Sequence, residues 1–195
     1  MSLLDTFTTS RLSRLAQRAA AGDAAAFGRL YRELHPVVWR YVSRRLGAGA
    51  DTEDLVARIF ERVVEHLHRF DARRGNVRAW VVGIARNAVI DHFRARRVTG
   101  DAEALEWIAD AALDPAVALE ADERDAQLHA ALAECAPEIR EMFSLRFGDG
   151  LRLREIAELM DLSEAAVKQR FSRSLRELRT KLRAGDRSKA AGYAI

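Results

Sequence analysis

Apolar residues recur at helical spacing along most of this chain, and no segment alternates as a half-buried strand would. A short helix is predicted over residues 11–21, and Asp23 is placed to cap the next one. That next helix reaches Leu46, with Pro36 predicting a kink or a division. Asp51 is expected to cap a third helix, whose apolar face is Leu55, Val56, Ile59, Phe60, Val63, Val64 and Leu67. The pattern predicts an all-α protein.

The helix after the turn at residues 71–77 separates its polar and apolar residues by face. At about 100° per residue, one side carries Val81, Ile84, Ala85, Ala88 and Val89. The other side carries Arg86, Asn87, Asp91, Arg94 and Arg97. Guanidinium groups suit phosphate, and an Asn amide pairs bidentately with a base edge. The pattern favours a nucleic-acid surface over a half-buried helix whose terminal arginines complement the helix dipole.

Residues 151–175 have the spacing of a helix-turn-helix. Ala157 is small where two helices would cross, Asp161 tolerates a left-handed turn, and Ser163 is a natural cap for the second helix. The predicted buried side of that helix is Val167, Phe171, Leu175, Leu178 and Leu182. Facing outward are Lys168, Gln169, Ser172 and Arg173, with Arg170 and Arg176 at the flanks, suited to phosphates. The alternative is a helical hairpin with a solvated basic face.

Charge is partitioned along the 195 residues, although the whole chain carries only +3. Residues 1–97 hold 18 Arg against 10 acids (+8), residues 98–123 hold 8 acids and no base (−8), and residues 124–195 hold 14 bases against 11 acids (+3). Two basic blocks around an acidic connector indicate two nucleic-acid-facing modules on a tether. Trp107 is a candidate anchor for a loose turn in that connector, and Pro137 is expected in the first turn of a later helix.

Two stretches resemble bacterial sigma factors of the extracytoplasmic-function (ECF) group, within the sigma-70 family. The first resembles the promoter −10 region and carries Trp80, Ile84, Ala85, Arg86, Asn87, Asp91 and Arg94 at the family's spacing. The second resembles the −35-binding region and carries Glu155, Ile156, Ala157, Ser163, Val167, Lys168, Arg170 and Arg173. Residues 51–60 look like the polymerase-binding helix, except that Ala57-Arg58 replaces the usual Gln-Glu.

The resemblance implies a specificity subunit of RNA polymerase with two helical domains. Residues 1–97 would be a region 2-like bundle, 98–123 an acidic linker, 124–183 a region 4-like helix-turn-helix domain, and 184–195 a tail. The residues it implies for core polymerase are Asp54, Leu55, Arg58, Phe60, Glu61 and Glu65. Those for the −10 element are Arg73, Arg74, Asn76, Arg78, Trp80, Arg86, Asn87, Asp91, Arg94 and Arg97. Those for the −35 element are Ser163, Lys168, Gln169, Arg170, Ser172, Arg173 and Arg176.

Other functional classes fit the sequence less well. There is no phosphate-binding loop, nucleophile elbow or paired catalytic carboxylate, so no enzymatic activity and no cofactor is expected. His66 and His68 lie two apart on a helix and face different sides, so no metal site is expected. A single Cys, no long apolar run and no signal-peptide core indicate a cytoplasmic protein without membrane insertion.

Two rival functions stay open at this point. One is a non-sigma helix-turn-helix regulator with an N-terminal sensor or dimerisation domain, and the other is an adaptor that binds only protein. The expected partners under the sigma interpretation are core RNA polymerase, promoter DNA and an anti-sigma factor, which the family commonly has.

Overall fold

The structure, a computed structural model, describes residues 3–72, 76–96 and 123–192. Every regular element in these ranges is helical, which confirms the all-α prediction. The chain forms two compact units, residues 1–99 and 100–195, and each is described by itself. None of the helices described is both long and apolar enough to cross a bilayer. The acidic linker up to residue 122, with Trp107, lies outside the described residues.

Four helices build the first unit: α1 (Leu3–Ala20), α2 (Ala24–Leu46), α3 (Ala50–His66) and α4 (Val77–Arg96). A short 3₁₀ turn, Leu67–Arg69, follows α3. The first helix therefore begins eight residues before the predicted start at residue 11. Of the kink or division predicted at Pro36, the division does not occur, because α2 continues across it. Leu34 and Val38, on either side of the proline, are both buried in the core and keep the two halves together.

The predicted cap of α2 is confirmed and that of α3 is wrong. The Asp23 carboxylate accepts a hydrogen bond from the backbone N–H of Ala26 at 2.9 Å. By contrast, α3 starts one residue before Asp51, with Gly49 at the capping position and Asp51 inside the first turn. An acid in the first turn still interacts favourably with the helix dipole. The hydroxyl of Thr52 donates to the carbonyl oxygen of Gly47 at 2.7 Å and closes the loop before α3.

The core of the first unit lies where α2, α3 and α4 pack against one another. Its fully or almost fully buried side chains are Leu30, Leu34, Val38, Tyr41, Val42, Ile59, Val63, Val81, Val82, Ala85 and Val89. This confirms most of the apolar faces predicted for α3 and α4, except that Val64 is 55% exposed and Ile84 is only half-buried. Burying one aliphatic side chain of this size stabilises the fold by about 1.5–3 kcal/mol. The opposite faces of α3 and α4 remain available for contacts with other molecules.

The second unit contains α5 (Glu123–Ala133), α6 (Pro137–Phe143), α7 (Leu153–Leu159) and α8 (Glu164–Gly192). Pro137 stands in the first turn of α6 as predicted, and a π-helical turn, Ser144–Gly148, follows that helix. The buried Arg140 guanidinium donates to the carbonyl oxygens of Ala133 and Cys135 at 3.0 and 2.8 Å, fastening the end of α5 to α6. The helix α8 continues beyond residue 183, where the sequence prediction ends the domain.

The turn between α7 and α8 has the predicted chemistry. Asp161 has a φ of 54°, so it occupies the left-handed region that aspartate tolerates better than most residues. The N–H of Leu162 then donates to the carbonyl oxygen of Ala157 at 2.9 Å. The Ser163 hydroxyl accepts from the N–H of Ala166 at 3.1 Å, which confirms the predicted cap of α8. Ala157 and Val167 are both buried where the two helices pack.

Candidate nucleic-acid interface

The start of α4 is fixed by Asn76. Its amide oxygen accepts a hydrogen bond from the N–H of Ala79 at 2.9 Å, and its carbonyl accepts from Trp80 at 3.2 Å. Asn76 was predicted to contact the −10 element, and the structure shows that its amide oxygen caps the helix. Arg73 and Arg74, predicted for the same element, lie outside the described residues.

An aromatic pair lies beside this helix start. The rings of Trp80 and Phe70 are 5.5 Å apart and inclined at 46°, and both side chains are half-buried. Arg78 is also half-buried. Phe70 was not among the predicted site residues, because its contact with Trp80, ten positions away, is not visible from helical spacing. The pair offers a partly exposed aromatic surface of the kind on which a base stacks.

The polar side of α4 is accessible as predicted. Asn87, Asp91 and Arg94 are exposed and Arg86 is half-buried, whereas Ala85 on the opposite side is fully buried. Arg97, the last residue predicted for this side, lies outside the described residues. The accessible side of α4 therefore presents the Asn87 amide close to the charged groups of Arg86, Asp91 and Arg94.

Asp91 links this side to the neighbouring helix. One carboxylate oxygen lies 3.4 Å from a terminal guanidinium nitrogen of Arg62 on α3, and the other lies 3.9 Å from one of Arg94. All three side chains remain about half exposed, at 47%, 53% and 45% for Arg62, Asp91 and Arg94. Arg62 was not among the predicted site residues, because its partner is on another helix and spacing along α3 does not show it.

The outer face of α3 is divided into three stripes between residues 54 and 65. At about 100° per residue, Ala57 and Val64 share one side, which we call the apolar stripe. The acidic stripe, Asp54, Glu61 and Glu65, comes next around the helix, and the basic stripe, Arg58 and Arg62, follows it. All seven side chains are exposed. The basic stripe is the one beside α4, since Arg62 reaches Asp91.

Two of the residues predicted to contact polymerase are buried in the core, on the apolar face predicted for α3. Leu55 and Phe60 are 4% and 7% exposed. The Phe60 ring packs against Tyr31 and His35 on α2, with ring centres 4.6 and 6.0 Å apart. Both residues hold α3 in place rather than offering a free contact surface. Tyr31 is itself 38% exposed, so α2 presents an accessible aromatic side chain beside Phe60.

The outward side of α8 also has the predicted distribution. Lys168, Gln169, Ser172, Arg173 and Arg176 are exposed, Arg170 is half-buried, and Val167 and Phe171 face the core. Lys168 forms a 2.7 Å ion pair with Glu164 one turn earlier. The guanidinium of Arg176 donates to the carbonyl oxygen of Ser172 at 3.3 Å. Long donors on one side of a helix held by a buried seam are the arrangement that reads a major groove.

Comparison with known proteins identifies the family. Residues 30–99 match the family model Sigma-70 region 2, and residues 125–178 match Sigma-70, region 4. The ECF RNA polymerase sigma factor SigF of Caulobacter vibrioides is 34% identical over 187 residues, covering 93% of this chain and 99% of that protein. This chain belongs to the ECF sigma factors.

Further relatives of this sigma factor agree. The ECF RNA polymerase sigma factor BldN of Streptomyces coelicolor is 34% identical over 172 residues, covering 87% of this chain and 65% of that protein. The structure of CnrH in complex with the cytosolic domain of CnrY is 29% identical, with a TM-score of 0.59, covering 87% of this chain and 96% of that one. The sigma factor RpoE of Bartonella quintana, at 18% identity and a TM-score of 0.54, shares the fold.

The family assignment decides between the open functions. The first compact unit contains the region 2 match, so the interpretation of residues 1–97 as a sensor or dimerisation domain is wrong. The adaptor interpretation is wrong as well, since the family consists of promoter-recognising sigma factors. Among the described residues, no group of three or more His, Cys, Asp or Glu side chains is placed to hold a metal ion.

Proposed function

We propose that this sigma factor binds core RNA polymerase through α3 and directs it to promoters through α4 and α8. The observation that carries the proposal is the geometry of α8. The left-handed Asp161 and the Ser163 cap fix where the helix starts, and its buried seam leaves Lys168 and Gln169 outward. A helix held in this way enters the major groove of duplex DNA, where side chains of these types discriminate bases.

In this proposal α4 reads and opens the −10 element. Asn87 contacts a base edge, and Arg94 contacts phosphate, since each is exposed on the polar side of the helix. Taking a base out of the stack costs a few kcal/mol. Stacking on an aromatic surface offsets about 1–3 kcal/mol for each base, and the Trp80–Phe70 pair is the candidate surface.

The acidic stripe of α3 is the proposed contact for core polymerase, with helices of the largest polymerase subunit as the partner. Its three carboxylates are exposed and lie beside the apolar stripe, so a partner surface with basic and apolar residues fits both. Leu55 and Phe60 contribute indirectly, by holding α3 against α2.

Three further points complete the proposal. The protein has no enzymatic activity of its own and acts by binding and orienting polymerase. It works in the cytoplasm, where polymerase and chromosome meet. An anti-sigma factor holds it inactive, a proposal supported by its similarity to CnrH, whose structure contains the cytosolic domain of CnrY.

Run-off transcription with purified core polymerase on genomic fragments tests this function. The expected result is discrete transcripts that need both the protein and core polymerase. The protein alone is expected to leave duplex DNA unprotected against nuclease, whereas the complex with core polymerase protects it. Discrete protection by the protein alone, with no transcript in the presence of core polymerase, would contradict the proposal.

A further inference from the structure

We infer that Arg62 of α3 binds the phosphate backbone of promoter DNA, and that Asp91 is a positioning residue that holds Arg62 and Arg94 for this contact. The inference rests on the proposed function, since it requires that the polar side of α4 faces DNA. It adds α3 to the DNA-binding surface, so that one helix contacts both polymerase and DNA.

The first support is the geometry of the three side chains. Each oxygen of the Asp91 carboxylate faces a different guanidinium, Arg62 at 3.4 Å and Arg94 at 3.9 Å. One carboxylate thus lies within ion-pair distance of two long side chains from two helices, at neighbouring positions. Long side chains lose considerable rotamer entropy when they bind a ligand, and holding them beforehand reduces that loss.

The second support is that stability does not account for the arrangement. Ion pairs between side chains that are about half exposed contribute little to folding. The three side chains carry a net charge of +1 and stay accessible, with Arg62 47% exposed. A guanidinium has five N–H donors, and the single hydrogen bond that the structure gives Arg62 is the one to Asp91. Its remaining donors suit a bidentate contact with phosphate.

The third support is the order of the stripes on α3. The acidic stripe lies between the apolar and the basic stripe, and the basic stripe faces α4. Arg58 is exposed one turn before Arg62 on the same side of α3. An acidic partner surface that attracted Arg58 would repel the acidic stripe beside it. DNA lying next to α4 would contact only the basic stripe.

The test measures DNA binding by the complex with core polymerase on a promoter fragment recovered by run-off transcription, over a range of salt concentrations. For Arg62→Ala, the slope of log K against log salt is expected to fall by about 0.7–0.9, the value for one lost phosphate contact. The matched control is Arg11→Ala, which removes the same charge and another exposed pair between helices, Arg11–Glu33 at 2.7 Å. The control is expected to keep the wild-type slope.

Asp91→Asn separates positioning from simple repulsion. The substitution raises the net charge by one, so an acid that merely repels DNA would give tighter binding when it is removed. We expect weaker binding, and a smaller effect of the same substitution in the Arg62→Ala background. Tighter binding in both backgrounds would overturn the positioning role.

Binding to core polymerase without DNA completes the test. Arg62→Ala is expected to leave that affinity unchanged, and a loss there would assign Arg62 to polymerase and overturn the inference. An unchanged salt slope, in a protein that does initiate transcription, would also overturn it while the proposed function stands. If the wild-type protein gives no transcript, the proposed function itself fails.

Discussion

The ammonium nitrogen of Lys168 lies 2.7 Å from a carboxylate oxygen of Glu164, one turn away on the exposed side of α8. The ammonium has three N–H donors, so Lys168 offers DNA a charge that already has one partner within α8, whereas Gln169 next to it is uncharged and offers both donors and an acceptor. Because the two neighbouring side chains differ in charge and in hydrogen-bonding groups, exchanging them separates base reading from backbone binding.

Exchanging Lys168 and Gln169 is expected to change which −35 sequence is preferred. Both side chains point outward in the first turns of α8, and each offers a different set of donors and acceptors. Arg176→Ala is the control, since it is expected to lower activity on all promoters alike. A transcription assay on a −35 library checks both, and an unchanged order of preference after the exchange would leave α8 with backbone contacts only.

Asn87→Ala is expected to relax −10 preference by about 1–3 kcal/mol, the value of one lost bidentate base contact. Arg94→Ala should instead weaken binding to every sequence and flatten its salt dependence. The measurement is relative activity of each variant across a −10 library. If Asn87→Ala kept the wild-type profile, Asn87 would not be a base-reading residue.

Reversing two charges of the acidic stripe, with Asp54→Arg and Glu61→Arg, is expected to weaken binding to core polymerase. Both side chains are exposed, so the circular dichroism spectrum should not change. Full retention of core binding by the double variant would argue against the acidic stripe as the contact.

Asp161→Ala is expected to destabilise the second unit by about 1 kcal/mol, whereas Asp161→Gly should not. The residue has a φ of 54°, a conformation that alanine adopts at a cost of about 1–2 kcal/mol and glycine at none. Urea unfolding followed by circular dichroism measures the difference. Equal stability of the two variants would show that the turn relaxes when the residue is changed.

Asp23 is expected to stabilise the first unit in a pH-dependent way. The N–H of Ala26, and next the guanidinium of Arg18, lower the pKa of this carboxyl below its ordinary value. A lowered pKa means that the carboxylate stabilises the fold at neutral pH and that this contribution is lost as the pH falls through the folded-state pKa. The difference in Tm between wild type and Asp23→Asn should therefore shrink between about pH 7 and about pH 3. A constant difference would show that hydrogen bonding alone, without the charge, accounts for it.

Local chemistry explains which features were predictable from the sequence. Asp23, Asp161 and Ser163 act on backbone groups within a few residues, so residue type and spacing were enough to predict them. The chain does not divide at Pro36, one of the two outcomes predicted there, because Leu34 and Val38 pack into the core on either side of it.

Contacts between different helices could not be predicted from the sequence. Arg62 and Asp91 are 29 positions apart, and Phe60 meets Tyr31 at a distance of 29 positions as well. Periodicity gave the buried side of each helix but not which neighbour it meets. The family resemblance, not periodicity, placed Phe60 among the polymerase contacts, and spacing along α3 could not show that Arg62 meets Asp91.

The three stripes of α3 depend on the spacing of their residues along the sequence as well as on the residue types. One residue inserted between Ala57 and Glu61 would turn everything after it by about 100° relative to Asp54. Glu61 and Glu65 would turn away from Asp54, Arg62 would point away from Asp91, and Val63 would leave the core that now buries it. A substitution in the outer face of α3 changes one stripe and leaves the other two in place. An insertion displaces parts of all three stripes, so together they fix the number of residues in this helix.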